Sequence, residues 1–261
     1  MTGVPMSAQI HQFQCLSDNF GVLIHDPETG ATASIDAPEA GPILAALAEK
    51  GWTLTDILVT HHHPDHVQAI PDLKARFPQA RVTGPGKDIA RIPEIENPVV
   101  EGDMARVGAM TAKVIEAPGH TSGHIAYWFE AEKAVFVGDV LFALGCGRVF
   151  EGTMDEMHAS LQKLAALPPD TRVWCGHEYT LSNARFAVTI DPANAALKAR
   201  LKRIEALRAE GKFTLPTTIG EELATNPFLR GHDPAIKAHL NMASATPAAV
   251  FAEIRERKNR A

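Results

Sequence analysis

Thr60-His61-His62-His63-Pro64-Asp65-His66 sets four histidines and an aspartate into the six positions 61–66. Ile57-Leu58-Val59-Thr60 leads into it, a short apolar and β-branched run that reads as a buried strand. Imidazole and carboxylate are, beside thiolate, the donors that hold Zn²⁺. In extended chain, residues two apart point the same way, so His61 and His63 aim at one point. Asp65 and His66 lie just past the bend at Pro64 and face a second point. A helix over 67–77 follows, stopped by Pro78, and its N-terminus favours the Asp65 carboxylate. One histidine in such a place is more often a hydrogen-bonded core residue. Four imidazoles crowded together are costly to bury unless a shared cation organises them, so the segment reads as a set of metal ligands.

Three other segments share its character. Gly119-His120-Thr121-Ser122-Gly123-His124 follows the strand-like run 111–117, Gly138-Asp139 ends the strand 134–137, and Cys175-Gly176-His177-Glu178-Tyr179 closes the run 171–176. Each places a histidine or aspartate past the carboxyl end of an apolar strand, where loops gather and sites form in α/β sheets. Alone, each is an ordinary turn. With the first segment they supply seven donors: His61, His63, Asp65, His66, His120, Asp139 and His177. Seven is too many for one tetrahedral ion and suits two ions sharing a carboxylate.

Outward from these segments the chain divides in character. Residues 1–175 mix strands (21–26, 31–37, 124–130 among them) with helices over 41–50 and 154–167, the first ended by Gly51 and the second by Pro168-Pro169. After Tyr179 the strand patterns stop. Residues 176–261 read as helices around Asp191-Pro192, Glu221, Asp233-Pro234 and Thr246-Pro247, where Asp or Thr before Pro makes a good helix start.

Composition narrows the function. A length of 261 residues, 45% of them hydrophobic, supports a real core. The net charge of -6 argues against broad nucleic-acid binding. Three widely spaced cysteines build no disulfide framework and point to a reducing compartment, the cytoplasm. No run is long enough for a membrane span, and residues 1–13 lack the charged and apolar regions of a signal peptide.

The order Thr-His-x-His-x-Asp-His, Gly-His-Thr-x-Gly-His, Gly-Asp, Gly-His resembles the metallo-β-lactamase superfamily. The resemblance implies an α/β fold, the αββα sandwich, over 1–175, with a C-terminal helical substrate-binding domain over 176–261. It implies that His61, His63 and His120 hold one metal, that Asp65, His66 and His177 hold the other, and that Asp139 bridges them. His62 is then no ligand, and His124 is a supporting neighbour. Narrower features resemble glyoxalase II, the hydrolases of glutathione thioesters: Leu16-Ser17-Asp18-Asn19-Phe20, Gly145-Cys146-Gly147-Arg148, Gly176-His177-Glu178-Tyr179-Thr180, and Asn226-Pro227-Phe228-Leu229-Arg230 before a basic last helix. This likeness runs from about residue 8 to the C-terminus.

That family's glutathione contacts fall on Arg148, Tyr179, Arg255 and Lys258. Arg255 and Lys258, three apart on a helix, share a face and suit a carboxylate. Phe150 stands where the family often has a tyrosine. The implied reaction is hydrolysis of S-D-lactoylglutathione to glutathione and D-lactate, the second step of methylglyoxal detoxification. Water acidified between two metals is the attacking group, with Asp65 and Asp139 as its catalytic carboxylates. Zn²⁺ is the first choice of metal, and the donors also tolerate Fe or Mn. A monomer acting on a small molecule, with no nucleic-acid or membrane partner, completes the expectation. Four rivals fit less well. A single-iron persulfide dioxygenase uses fewer ligands. A lactamase or lactonase leaves the basic tail without a role. A nuclease needs a basic face, and a non-catalytic binding module is expected to have lost ligands.

Overall fold

The computed structural model describes residues 7–261; the start of the stretch read above for a signal peptide lies outside the described residues. The chain forms two compact units. The first comprises the described residues to Glu116 together with Gly123–Gly138, and the second Ala117–Ser122 with Asp139–Ala261.

Unit one is built on two sheets. Strands β1 (Gln9–Cys15), β2 (Asn19–His25) and β3 (Thr32–Ile35) pair antiparallel in sequence order. Helix α1 (Ala40–Lys50) ends at Gly51, whose left-handed φ of 68° closes it as expected. It leads to β4 (Asp56–Leu58), parallel to β3. After α2 (Pro64–Val67) and α3 (Ile70–Arg76) come β5 (Arg81–Pro85) and β6 (Asn97–Val99), both added parallel. The second sheet is an antiparallel meander of β7 (Met104–Val107), β8 (Met110–Glu116), β9 (Ile125–Phe129) and β10 (Ala134–Gly138).

Alternation explains the packing. Ile57 and Val59 join Ile43 and Leu47 of α1 and Ile70 and Leu73 of α3 in one apolar cluster. Leu58 points to the other face and is equally buried, so the first sheet is covered on both sides. The Tyr127 hydroxyl on β9 reaches the carbonyls of Val59 (2.9 Å) and Thr83 (3.2 Å), tying the second sheet to the first. Burial, then the nearby Asp36, pushes the Tyr127 pKa far up, so it acts as a donor and not as an acid.

Of two local expectations here, one fails for a physical reason and one holds. The single helix over 67–77 is two helices, because Pro71 sits in the first turn of α3, where a ring without an N–H is tolerated and a continuous helix is not. The strand that starts at 134 ends at Gly138, as read from the Gly-Asp pair. Gly138, at φ 47°, ends β10, and a Cβ there would fall 2.5 Å from Thr60 Oγ1 and 2.7 Å from His124 Nε2.

Unit two opens with a tight hairpin of β11 (Leu141–Phe142) and β12 (Gly145–Cys146). Helix α4 (Met154–Ala165) starts with a capping box between Thr153 and Glu156. Strand β13 (Arg172–Cys175) precedes α5 (Thr180–Ile190) and α6 (Ala195–Ala209). A short β14 (Thr217–Thr218) then pairs with β13, so the strands do not stop entirely at Tyr179. Helices α7 (Ile219–Thr225), α8 (Pro234–His239) and α9 (Pro247–Asn259) complete the unit. Asp233 and Thr246 cap their helices, accepting from Ala235 N (2.8 Å) and Ala249 N (3.2 Å). Asp191 instead follows the last residue of α5, and Asn194 caps α6 by accepting from Leu197 N at 3.0 Å.

Candidate metal centre

Unit one carries the histidine segment. Thr60 follows β4, and its backbone N and hydroxyl both donate to the Asp36 carboxylate, at 2.7 and 2.9 Å. A hydroxyl has one proton, and Asp36 takes it. The Thr60 oxygen is therefore left to accept from His61 Nδ1 at 3.0 Å. That assignment leaves the lone pair of His61 on Nε2, which lies 3.1 Å from His63 Nδ1. The convergence expected from extended spacing is present.

The next pair follows the same logic. His66 gives its Nδ1 proton to Asp36 at 2.8 Å. Its Nε2 sits 3.6 Å from Asp65 Oδ2. With a carboxylate at each imidazole nitrogen in a site where His66 is 2% exposed, the pair suits a shared cation, a proton or a metal ion. Asp65 is held in turn by Asn19, whose amide donates to its backbone carbonyl (3.1 Å) and its carboxylate (3.0 Å). His62 faces elsewhere, toward Asp88 (3.5 Å) and Arg91 (3.2 Å). His124 stacks on His61, with ring centroids 4.7 Å apart.

Unit two carries the other three donors. His120 donates from Nδ1 to the carbonyl of Arg148 at 2.9 Å, which fixes its lone pair on Nε2. That nitrogen lies 3.6 Å from Asp139 Oδ2, and His177 Nε2 lies 3.2 Å from the same oxygen. All three residues are buried. Here too a carboxylate oxygen and imidazole nitrogens face one another. Each unit thus presents His and Asp donors, with orienting hydrogen bonds behind them, in the form a divalent metal requires.

The remaining residues of unit two surround this trio. Tyr179 stacks flat on His177, centroids 4.7 Å apart. Phe150, 60% exposed, lies 5.3 Å from the His120 ring. Ser122 is engaged by Glu151, which accepts from both its N–H and its hydroxyl at 3.0 Å. Lys258 packs over the Phe186 ring at 5.1 Å. Burial, then Arg255, then Arg148 lower its pKa, which places three cations within reach of one another.

Arg255 departs from the expectation of a cation displayed on a helix face. It is 3% exposed, donates to the carbonyl of Cys146 at 2.8 Å and lies over the Phe228 ring. The cysteines are buried and free. Burial raises the Cys146 thiol to about 11 and that of Cys15 to about 12, which removes both as thiolate ligands near neutrality. The sequence reading missed Asp36, Asn19 and Glu151. Asn19 lay inside a quoted motif, but nothing near Asp36 in the chain pointed to position 66.

A model of the metallo-beta-lactamase superfamily matches residues 26–177. ETHE1 from Myxococcus xanthus has a crystal structure similar to this chain, with a TM-score of 0.68 and 28% identity over 96% of this chain and 91% of that one. TTHA1623, solved in a di-iron-bound form, gives a TM-score of 0.58 and 26% identity over 85% of this chain and all of that one. The fold is that of the metallo-β-lactamase superfamily, with a helical C-terminal region.

A second model, described as hydroxyacylglutathione hydrolase C-terminus, matches residues 178–261. A hydroxyacylglutathione hydrolase from Mesorhizobium japonicum is 59% identical over 97% of this chain and 99% of its own length. The chain belongs to the hydroxyacylglutathione hydrolase family of that superfamily, also called glyoxalase II.

Proposed function

We propose that the chain hydrolyses S-D-lactoylglutathione and related 2-hydroxyacyl-glutathione thioesters. Water adds to the thioester carbonyl, the carbon–sulfur bond breaks, and glutathione and a 2-hydroxy acid leave. This is the second step of methylglyoxal detoxification. The observation that carries the reading is the 59% identity across nearly the whole of both chains, together with a full set of seven donors.

In this reading His61, His63 and His120 hold one metal and Asp65, His66 and His177 the other, with Asp139 shared. Bound divalent ions supply acidified water and a Lewis acid for the carbonyl oxygen. The chain does the rest. Asp36 and Thr60 keep the proton off the ligating nitrogens of His61 and His66. Asn19 holds the Asp65 carboxylate by its amide. Zn²⁺ suits this donor set best, with Fe or Mn tolerated.

Arg148, Tyr179, Arg255 and Lys258 are assigned to glutathione. Lys258 and Arg148 bring positive charge for its carboxylates, and Tyr179 offers an amphipathic ring beside His177. Arg255 adds its charge from within. No protein nucleophile is needed, and the contact of Ser122 with Glu151 leaves that hydroxyl an anchoring role. A cytoplasmic monomer with no nucleic-acid partner completes the proposal. Among the described residues no helix is long and apolar enough to cross a membrane.

The deciding experiment is turnover of S-D-lactoylglutathione by metal-assayed protein, before and after chelation. Loss of thioester absorbance that chelation abolishes and Zn²⁺ restores supports the reading. Two metals bound with no turnover would keep the centre and remove the substrate.

A further inference from the structure

Asp139 is followed at once by the β11–β12 hairpin, and the polar backbone of this hairpin is gripped from the helices. Leu144, at its turn, holds a left-handed φ of 58° without being glycine, a conformation that surrounding contacts must maintain. Glu222 of α7 accepts from Leu144 N at 2.8 Å. Asn226, just past α7, donates to the carbonyls of Gly145 (3.0 Å) and Phe142 (3.3 Å). The two side chains also join each other, Asn226 Nδ2 donating to Glu222 Oε2 at 3.0 Å. Both residues are 0% exposed.

A buried carboxylate is expensive unless it is paired and fully hydrogen-bonded. The second oxygen of Glu222 meets this condition through Arg200 Nη2 (2.5 Å) and the Thr217 hydroxyl (2.6 Å). The grip is therefore rigid, because the Glu222 carboxylate that accepts from Leu144 N and from Asn226 is itself held.

The hairpin in turn sets two candidate ligands. Beyond Cys146, Gly147 N donates to the Val140 carbonyl at 3.1 Å. Gly147 packs so tightly that a Cβ there would fall 2.0 Å from the Asp139 carbonyl oxygen. The next carbonyl, of Arg148, is the one that accepts from His120 Nδ1 at 2.9 Å. The hairpin thus lies between Asp139 and the group that fixes the tautomer of His120, and a shift of the hairpin moves both.

We propose that Glu222 and Asn226 are positioning residues for the reaction, holding the β11–β12 hairpin so that Asp139 and His120 keep their donor atoms on the metal. The proposal rests on the two-metal reading above. Its test is zinc affinity by chelator competition, with kcat and KM at saturating zinc and the melting temperature of the metal-free protein. Asn226→Ala is expected to weaken zinc binding by about 10- to 100-fold, the range typical of lost partners behind metal ligands. It should also lower kcat about tenfold and leave KM within about twofold, the pattern of a lost transition-state interaction.

In an Asp139→Asn background the same change should weaken zinc little further, since coupled residues are not additive. A merely structural role predicts a lower melting temperature with wild-type zinc affinity and kcat, and full additivity with Asp139→Asn; that result overturns the proposal. If Asn226→Ala does not fold, Glu222→Gln is read by the same measures, and if neither folds the role is structural and the proposal falls. Failure of the wild-type protein to bind two zinc ions would sink the two-metal reading instead.

Discussion

Asp36 holds His66 by one nitrogen: its Oδ2 accepts from Nδ1 at 2.8 Å, which turns Nε2 toward Asp65 Oδ2 at 3.6 Å. Through Thr60 the same carboxylate sets the tautomer of His61. One buried acid therefore orients two candidate ligands on a segment that follows β4.

Asp36→Asn keeps the shape but adds an N–H that can point at His66 Nδ1 and reverse its tautomer. Metal affinity should fall by about 10- to 100-fold. Chelator competition measures the affinity, and ¹⁵N NMR of the imidazoles reports the tautomer. An unchanged affinity with an Nε2-bare His66 would show that the carboxylate is not needed for this.

Two histidines approach one oxygen of Asp139. Asp139→Ala should lose metal and nearly all turnover, whereas loss of a carboxylate that merely lies nearby would leave both. Metal content after gel filtration, with kcat at saturating Zn²⁺, separates these outcomes. Full activity in the variant would refute the bridging role.

Much of this was legible in the chain because ligand chemistry is local. His61, His63, Asp65 and His66 are neighbours in sequence, and extended spacing alone placed the first two nitrogens together. The strands could be read from β-branched runs and the later helix starts at Asp233 and Thr246 from their caps. What could not be read depends on long-range approach. Asp36 lies 30 positions from His66, and Arg255 reaches Cys146 across 109. The broken helix at Pro71 was a local signal that apolar periodicity overrode, whereas the strand end at Gly138 was read from the Gly-Asp pair.

Burial changes what is expected of Arg255. Its guanidinium satisfies the carbonyl of Cys146, so Arg255→Ala should raise KM and also destabilise the fold by about 1–3 kcal/mol, the usual cost of a buried group left unpaired. Lys258→Ala is the cleaner probe. Its ammonium is half-buried and makes a long hydrogen bond to Ser182 at 3.4 Å. Removing it should raise KM roughly tenfold with kcat within about twofold, the pattern of lost uniform binding. Urea melts of both variants, with steady-state kinetics, test this. Equal loss of kcat and kcat/KM in Lys258→Ala would place the side chain in the reaction itself.

The same lysine gives a pH signature. Burial first, then Arg255 and Arg148, hold its pKa below the ordinary value of 10.5. Between the lowered and the ordinary value the unfolded chain binds more protons than the folded one, so this group makes stability rise with pH across that window. Substrate acts in the opposite sense. A carboxylate beside Lys258 favours the charged form, so binding should take up protons, and KM should climb as pH passes the lowered pKa. In Lys258→Arg the guanidinium stays charged throughout, and the climb should vanish. KM measured across the alkaline range, with proton uptake on binding an S-alkyl glutathione, decides the matter. A KM that stays flat up to the ordinary lysine range, or that climbs equally in Lys258→Arg, would remove Lys258 from the carboxylate site.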